Sequence, residues 1–124
     1  MNISNTSRIG DVAEFLFDAG AVQRGFVVNR PIHAGTIYDR VVESNGRFYK
    51  VQIKCTTKDK KTGVVFKRNN NQPYPIDCVD VFAVYVLYMD TWYFFKNELQ
   101  RSVYISLNRF KENKENWNIF YEEI

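Results

Sequence analysis

Several things are scarce in this 124-residue chain, and each scarcity narrows its function. No uninterrupted apolar run is long enough to cross a bilayer. The opening residues, Met1 to Arg8, are polar and lead into a helical pattern, so they do not read as a secretory signal. Two cysteines, Cys55 and Cys78, lie far apart and outside any Cys-x-x-Cys spacing. With a single histidine, His33, they exclude an ordinary structural zinc site. They read as free thiols packed in or near a sheet. His33 falls in the loop Pro31-Ile-His-Ala-Gly35, where a solvated side chain is a plainer reading than a general base. There is no internal repeat and no linker of low complexity. The chain is therefore expected to be intracellular, in the cytoplasm of a prokaryote or a phage-infected host, with no membrane partner.

What is present points elsewhere. The length suits one domain with its own core, spanning residues 1–124. Aromatic residues make up 16% of the chain, which favours a sheet-rich fold or a contact surface. The net charge of +3 says little, but its distribution says more. Arg47, Lys50, Lys54, Lys58, Lys60, Lys61, Lys67 and Arg68 face a single acid in that interval, Asp59. Such a concentration suits a polyanion, because each neutralised phosphate releases condensed counterions. The competing reading is a solvated loop whose lysines only keep the chain in solution. Arg68, with Asn69, Asn70, Asn71 and Gln72, also has chemistry suited to base edges.

Periodicity orders the elements. A first helix is expected over about Ser7 to Val22, with Ile9, Val12, Ala13 and Leu16 as its buried stripe and an end at Gly20 or Gly25. A short strand, Gly25 to Arg30, stops at Pro31. A hairpin follows over about Thr36 to Thr57, turning at Ser44-Asn45-Gly46. Further strands are expected at Gly63 to Arg68, at Val79 to Tyr88 (buried on both faces), at Trp92 to Phe95 and at Val103 to Leu107. Trp92 to Phe95 read as core or subunit contact rather than as platforms for bases. Asp80 opens its strand, or else reaches a nucleic acid or partner subunit. Lys96 to Gln100 is expected to form a helical turn. Lys111 to Glu123 reads as a second helix with Trp117, Phe120 and Tyr121 on one face. The result is an α/β domain whose central mixed sheet, mostly antiparallel, is flanked by helices.

The hairpin carries the chemistry. In Val51-Gln-Ile-Lys54 the side chains alternate, so Gln52 and Lys54 project together, away from Val51 and Ile53. Asp39 on the neighbouring strand adds a carboxylate. An acid, an amide oxygen and an ammonium at one sheet edge suit a divalent cation beside a phosphate, the arrangement of a metal-dependent nuclease. Asp39 is the anchoring ligand of choice, with the Gln52 amide oxygen and the Ile53 carbonyl in the same reach. Lys54 would stabilise charge at the scissile phosphate. Glu14 would add a second carboxylate if the first helix packs across the sheet edge.

These residues also resemble a known superfamily. Gly10-Asp-Val-Ala-Glu14, Tyr38-Asp39 and Val51-Gln-Ile-Lys54 followed by Thr56 look like the motifs of PD-(D/E)XK nucleases. The glutamine in the third motif is similar to that of a small endonuclease family that includes intron-encoded homing enzymes of cyanobacterial type. The likeness continues through Gly63-Val-Val-Phe66, Tyr74, Val79-Asp80-Val-Phe-Ala-Val-Tyr85 and Trp92-Tyr93, and so covers most of the chain. Archaeal-type Holliday junction resolvases share the helix and hairpin but usually carry glutamate in the third motif. The resemblance implies a restriction-endonuclease-like fold and Mg2+ as cofactor, with Mn2+ as substitute. It makes Asp39, Gln52, Lys54 and Glu14 catalytic, and Asp39, Gln52 and Glu14 metal-binding, with the Ile53 carbonyl added as a metal ligand by its place on the strand. DNA is the implied partner, and the charge distribution and polar turn nominate Arg47, Lys58, Lys60, Lys61, Lys67, Arg68 and Asn70 to hold it. A domain this small covers few base pairs, so a homo-oligomer, dimer or tetramer, is expected. The expected activity is metal-dependent DNA endonuclease cleavage of the homing, double-strand type; the alternatives are resolution of branched junctions and an inactive nuclease fold that only binds nucleic acid.

Overall fold

The computed structural model describes residues 6–57, 62–68, 70–105 and 109–124. Helix α1, Thr6–Gln23, packs across a five-stranded sheet. That sheet is built from β1 (Val27–Asn29), β2 (Arg40–Ser44), β3 (Arg47–Thr56), β5 (Val81–Val86) and β6 (Thr91–Lys96). Their spatial order is β1-β2-β3-β5-β6, with only the β3–β5 pair parallel. A separate antiparallel ribbon, β4 (Thr62–Val65) with β7 (Ser102–Ile105), covers the other face. The mixed, mostly antiparallel sheet expected from the sequence is thus present. Among the described residues no helix is long and apolar enough to cross a membrane.

Two turns fix this framework locally. Gly25, with φ +85°, closes α1: the Phe26 N–H donates to Ala21 O (3.1 Å) and the Gly25 N–H to Val22 O (3.0 Å). This pair of bonds satisfies carbonyls that the helix end leaves orphaned. Asn45 and Gly46, with φ of 51° and 77°, form the tight turn that Ser44-Asn45-Gly46 predicts, and they set the β2–β3 register.

The core lies on both sides of the sheet. On one, Ala13, Phe17 and Ala21 of α1 meet Val51, Ile53, Phe94, Trp117 and Phe120. The buried stripe of α1 is therefore centred on Ala13, Phe17 and Ala21, while Ile9, Val12 and Leu16 are half-buried. Phe17 draws it there by stacking on Trp117 (5.6 Å) and meeting Trp92 edge-on (5.6 Å). On the other side, Val64, Phe66, Tyr74 and Ile105 close over Phe82, Val84 and Phe95. β5 is buried on both faces along its whole length, as its apolar run requires. Trp92 to Phe95 are all buried, so none offers a base-stacking surface.

The C-terminal segment departs from expectation. Lys111 to Glu123 does not form an α-helix; it runs through turns into a 3₁₀ helix, Trp117–Tyr121. Glu115, inside the segment, has φ of 49°, which interrupts any continuous helix. The segment instead pairs with the edge of β6: the Phe94 N–H donates to Asn113 O (3.0 Å), and the Glu115 N–H to Trp92 O (2.7 Å). An open sheet edge is covered in this way. Trp117 and Phe120 are buried as predicted, but Tyr121 is exposed. Lys96 to Gln100 is likewise not a helical turn; it is a bend around Asn97, with Leu99 at φ 61°.

Candidate active site

β2 begins at Arg40, opposite Val51, while β3 runs on to Thr56. This leaves a stretch of β3 edge without a strand beside it, and Asp39 occupies its start. The Asp39 N–H donates to Val51 O (2.8 Å), and the Ile53 N–H donates to Asp39 Oδ2 (2.8 Å). A side chain thus takes the place of the next ladder bond. In a strand the N–H and C=O of one residue point to the same side, so the Ile53 carbonyl shares this edge with Asp39.

Gln52 and Lys54 leave β3 on the face opposite Val51 and Ile53, as their alternation predicts. The Gln52 Oε1 atom is buried and has no hydrogen-bond partner, alone among the described residues' buried side-chain oxygens and nitrogens. A buried polar atom left unpaired is costly, so this one calls for a ligand. Lys54 donates from Nζ to the Tyr74 hydroxyl at 3.0 Å.

Asp39, Gln52, Tyr74, Arg68, Asn70 and Thr36 line one cleft of about 400 Å³. A second cleft of about 360 Å³ adjoins it, with Glu14, Arg30, His33, Tyr38 and Arg40 on its walls. Asp39 and Thr36 belong to both, so Asp39 stands at their junction. His33 is exposed there, as a loop residue should be.

Burial pushes the Asp39 carboxyl above its ordinary pKa. The Ile53 N–H opposes that shift, the Glu14 charge adds to it, and the Arg40 and Lys54 charges reduce it. Asp39 is therefore an anion held with too little compensation, on a wall it shares with an unpartnered amide oxygen. Both deficits would be met by one cation.

The residues present fit a hard divalent cation. Asp39, the Gln52 amide and the Ile53 carbonyl supply oxygen only, the preference of magnesium, which keeps several waters and needs few protein ligands. Among the described residues, no three His, Cys, Asp or Glu side chains gather into a metal-binding group. A cation bound here would rely instead on one carboxylate, an amide and a backbone carbonyl.

Sequence reasoning missed Arg40. Its side chain is only 2% exposed. It grips Asp18 bidentately, Nε to Oδ1 at 2.8 Å and Nη2 to Oδ2 at 3.1 Å. Its Nη1 donates to Glu14 Oε1 at 3.0 Å and to the Asp39 carbonyl at 2.8 Å. Desolvation disfavours its charge, yet Asp18 and Glu14 outweigh that and raise its pKa further. Arg40 thus ties α1 to the backbone of Asp39. Glu14 lines the adjoining cleft beside Asp39, not the one that holds Gln52, and one of its oxygens is committed to this arginine.

The other expected residues fall in three groups. Arg68 and Asn70 line the cleft, although Asn70 Oδ1 also accepts from the Gln72 N–H (3.1 Å) to shape its own turn. Lys67, half-buried, bridges to Pro73 at the base of that turn. Arg47 is not brought to the cleft: it sits at the turn end of β3, bound to Glu123 (2.9 Å) and the Tyr121 carbonyl (3.2 Å). At about 3.3 Å per residue, its Cα lies roughly 17 Å along the strand from that of Gln52. Lys58, Lys60, Lys61 and Asn69 lie outside the described residues. Asp80 has a structural task, accepting the Lys50 N–H (2.8 Å) where β5 joins β3. Cys55 and Cys78 are free thiols, and burial pushes the Cys55 pKa up to about 11, which leaves it unreactive.

A family model described as PD-(D/E)XK endonuclease matches residues 4–122. No curated protein matches the chain. Among solved structures, the bacterial homing endonuclease I-Ssp6803I superposes with a TM-score of 0.80 at 23% identity, covering 95% of each chain. Hjc, a Holliday junction resolvase from the hyperthermophile Archaeoglobus fulgidus, superposes with a TM-score of 0.60 at 11% identity, covering 93% of this chain and 98% of that one. At these identities the likeness is one of fold.

Proposed function

We propose that this chain, which belongs to the PD-(D/E)XK endonuclease family, is a metal-dependent endonuclease that hydrolyses DNA phosphodiester bonds at the Asp39–Gln52 cleft. The observation that carries the reading is the buried, unpartnered Gln52 Oε1 on the same cleft wall as the undercompensated Asp39 carboxylate. Asp39, Gln52 and the Ile53 carbonyl would hold Mg2+ or Mn2+, with Glu14 contributing through its uncommitted oxygen. When bound, the ion screens the phosphate and lowers the pKa of an attacking water.

The chain's own residues do the rest. The Ile53 N–H fixes one Asp39 oxygen and leaves the other to face the cleft. The Lys54 ammonium stabilises negative charge as it develops on the phosphate. Arg68, on the cleft wall, neutralises a phosphate of the bound strand. Homing-type cleavage of duplex DNA is favoured over junction resolution by the third-motif glutamine and by the higher TM-score to the homing enzyme. Cutting both strands at one site calls for a homo-oligomer, since one small domain spans few base pairs.

Incubation with supercoiled plasmid tests the reading: nicked or linear product should form with magnesium or manganese and vanish with a chelator. Failure to cut duplex, junction and single-stranded DNA with either metal would leave only a binding module. Gln52→Glu should also tighten Mn2+ binding at least tenfold. One added charge at ~4 Å is worth about 4 kcal/mol per unit of cation charge at an effective dielectric of ~20, before desolvation is subtracted. Calorimetric titration checks this, and an unchanged Kd would remove Gln52 from the ligand set.

A further inference from the structure

We infer that Tyr74 is a positioning residue for Lys54, its hydroxyl holding the ammonium beside the Asp39 cleft while a buried amide, Asn97, holds the tyrosine. The inference rests on the nuclease reading above and extends it to two residues that the motifs leave without a role.

Lysine carries its charge on a flexible four-carbon stem and does not aim itself. Among the described residues, Lys54 forms no ion pair; its hydrogen bond goes to Tyr74 Oη at 3.0 Å. That acceptor is neutral. A carboxylate there would quench the charge, whereas a phenol oxygen engages one of three ammonium protons and leaves two for phosphate oxygens.

The tyrosine can do this only if it is itself fixed, and three constraints fix it. It stands between Pro73 and Pro75, whose rings limit the backbone on either side. The residue is 8% exposed, and its ring meets Phe82 edge-on at 5.5 Å. Its carbonyl accepts from Asn97 Nδ2 at 2.9 Å.

Asn97 is buried and fully employed. The same Nδ2 reaches Val79 O (3.0 Å) and Pro75 O (3.3 Å), while Oδ1 accepts the Leu99 N–H (3.0 Å). Its backbone N–H donates to Asp80 O (2.9 Å). A buried polar network satisfied at every member is rigid, and here it runs from the end of β6 to the loop that carries Tyr74. The chain Asn97, Tyr74, Lys54 therefore holds a cation whose charge acts on Asp39, beside a cleft that Tyr74 and Asp39 line.

The test is single-turnover cleavage at saturating magnesium, protein in excess and followed to long times, with DNA affinity measured separately in calcium. Tyr74→Phe keeps the ring and its packing and removes one oxygen. It should lower the rate about tenfold, the scale of one hydrogen bond to a charged group, with DNA affinity unchanged. In a Lys54→Ala background the same substitution should change the rate less than twofold, because its effect passes through the lysine. The inference is overturned if Tyr74→Phe cuts as fast as the parent. An equal loss in both backgrounds, or a loss confined to DNA affinity, overturns it as well. A parent protein that cuts nothing refutes the nuclease reading itself and takes this inference with it, an outcome distinct from the others.

Discussion

Replacing Asp39 by asparagine should raise the thermal midpoint of the metal-free protein and lower its cleavage rate by a factor on the order of 10³, the scale of deleting one electrostatic element of a catalytic site. Both effects have one origin. The Asp39 pKa lies above its ordinary value, chiefly because burial penalises the carboxylate, and nearby Glu14 adds repulsion. For an acid whose folded pKa is raised, the folded state binds its proton more tightly than the unfolded chain does. Stability contributed by this group is present below the unfolded pKa of 3.8 and is lost as pH rises through the folded value. At neutral pH the native state therefore carries an ionised group that it holds poorly. Asparagine keeps the acceptor for the Ile53 N–H and removes the charge, so the metal-free fold gains while the site loses its anchor. The advantage of the variant should shrink at acid pH, where Asp39 itself is protonated, and in saturating magnesium, which stabilises the parent. Scanning calorimetry with and without metal reads all of this; a variant that is less stable at neutral pH without metal would contradict the charge-penalty account.

Arg40→Ala should destabilise the fold by about 3 kcal/mol, the lower end of the range for breaking a buried ion pair, because its carboxylate partners are themselves about a third exposed. Four of the five N–H donors of this guanidinium are engaged, joining α1 to β2 and to the carbonyl of Asp39. Removing it leaves Asp18 and Glu14 as neighbouring anions and opens a void beside Asp39. For a chain of this length the thermal midpoint should fall by roughly 10 °C. Arg40→Lys should recover part of the loss, since an ammonium restores charge without the bidentate fork. Urea unfolding measures both, and a loss below about 1 kcal/mol for Arg40→Ala would show that the network is a surface decoration.

Much of this site was legible in the sequence because its carriers sit in regular elements. Strand alternation put Gln52 and Lys54 on one face, and Asn45-Gly46 announced the turn that sets Asp39 against β3. Arg40 was illegible because an arginine at the head of a strand does not reveal which helix it will meet. Glu14 and Asp18, four residues apart on one face of α1, were a signal that two acids shared a cation. Tyr74 belongs to the family likeness, but its role is not legible there, because local rules report only a break between two prolines. The error over Lys111 to Glu123 has the same source. Trp117 and Phe120 mimic a helical face, but the polar residues before them were pairing with β6, a tertiary contact that no local period encodes. Arg47 looked like part of a basic surface until the chain end, through Glu123, turned out to be its partner.

Crystals soaked in manganese and measured for anomalous scattering bear most directly on the central idea, that Asp39 and Gln52 are the two side-chain oxygens of one cation site. A peak is expected within coordination distance of Asp39 Oδ1 and Gln52 Oε1, with the Ile53 carbonyl beside it and the peak lost in Asp39→Asn. A cleft without a peak, with Gln52 Oε1 instead accepting a hydrogen bond from the protein, would contradict it.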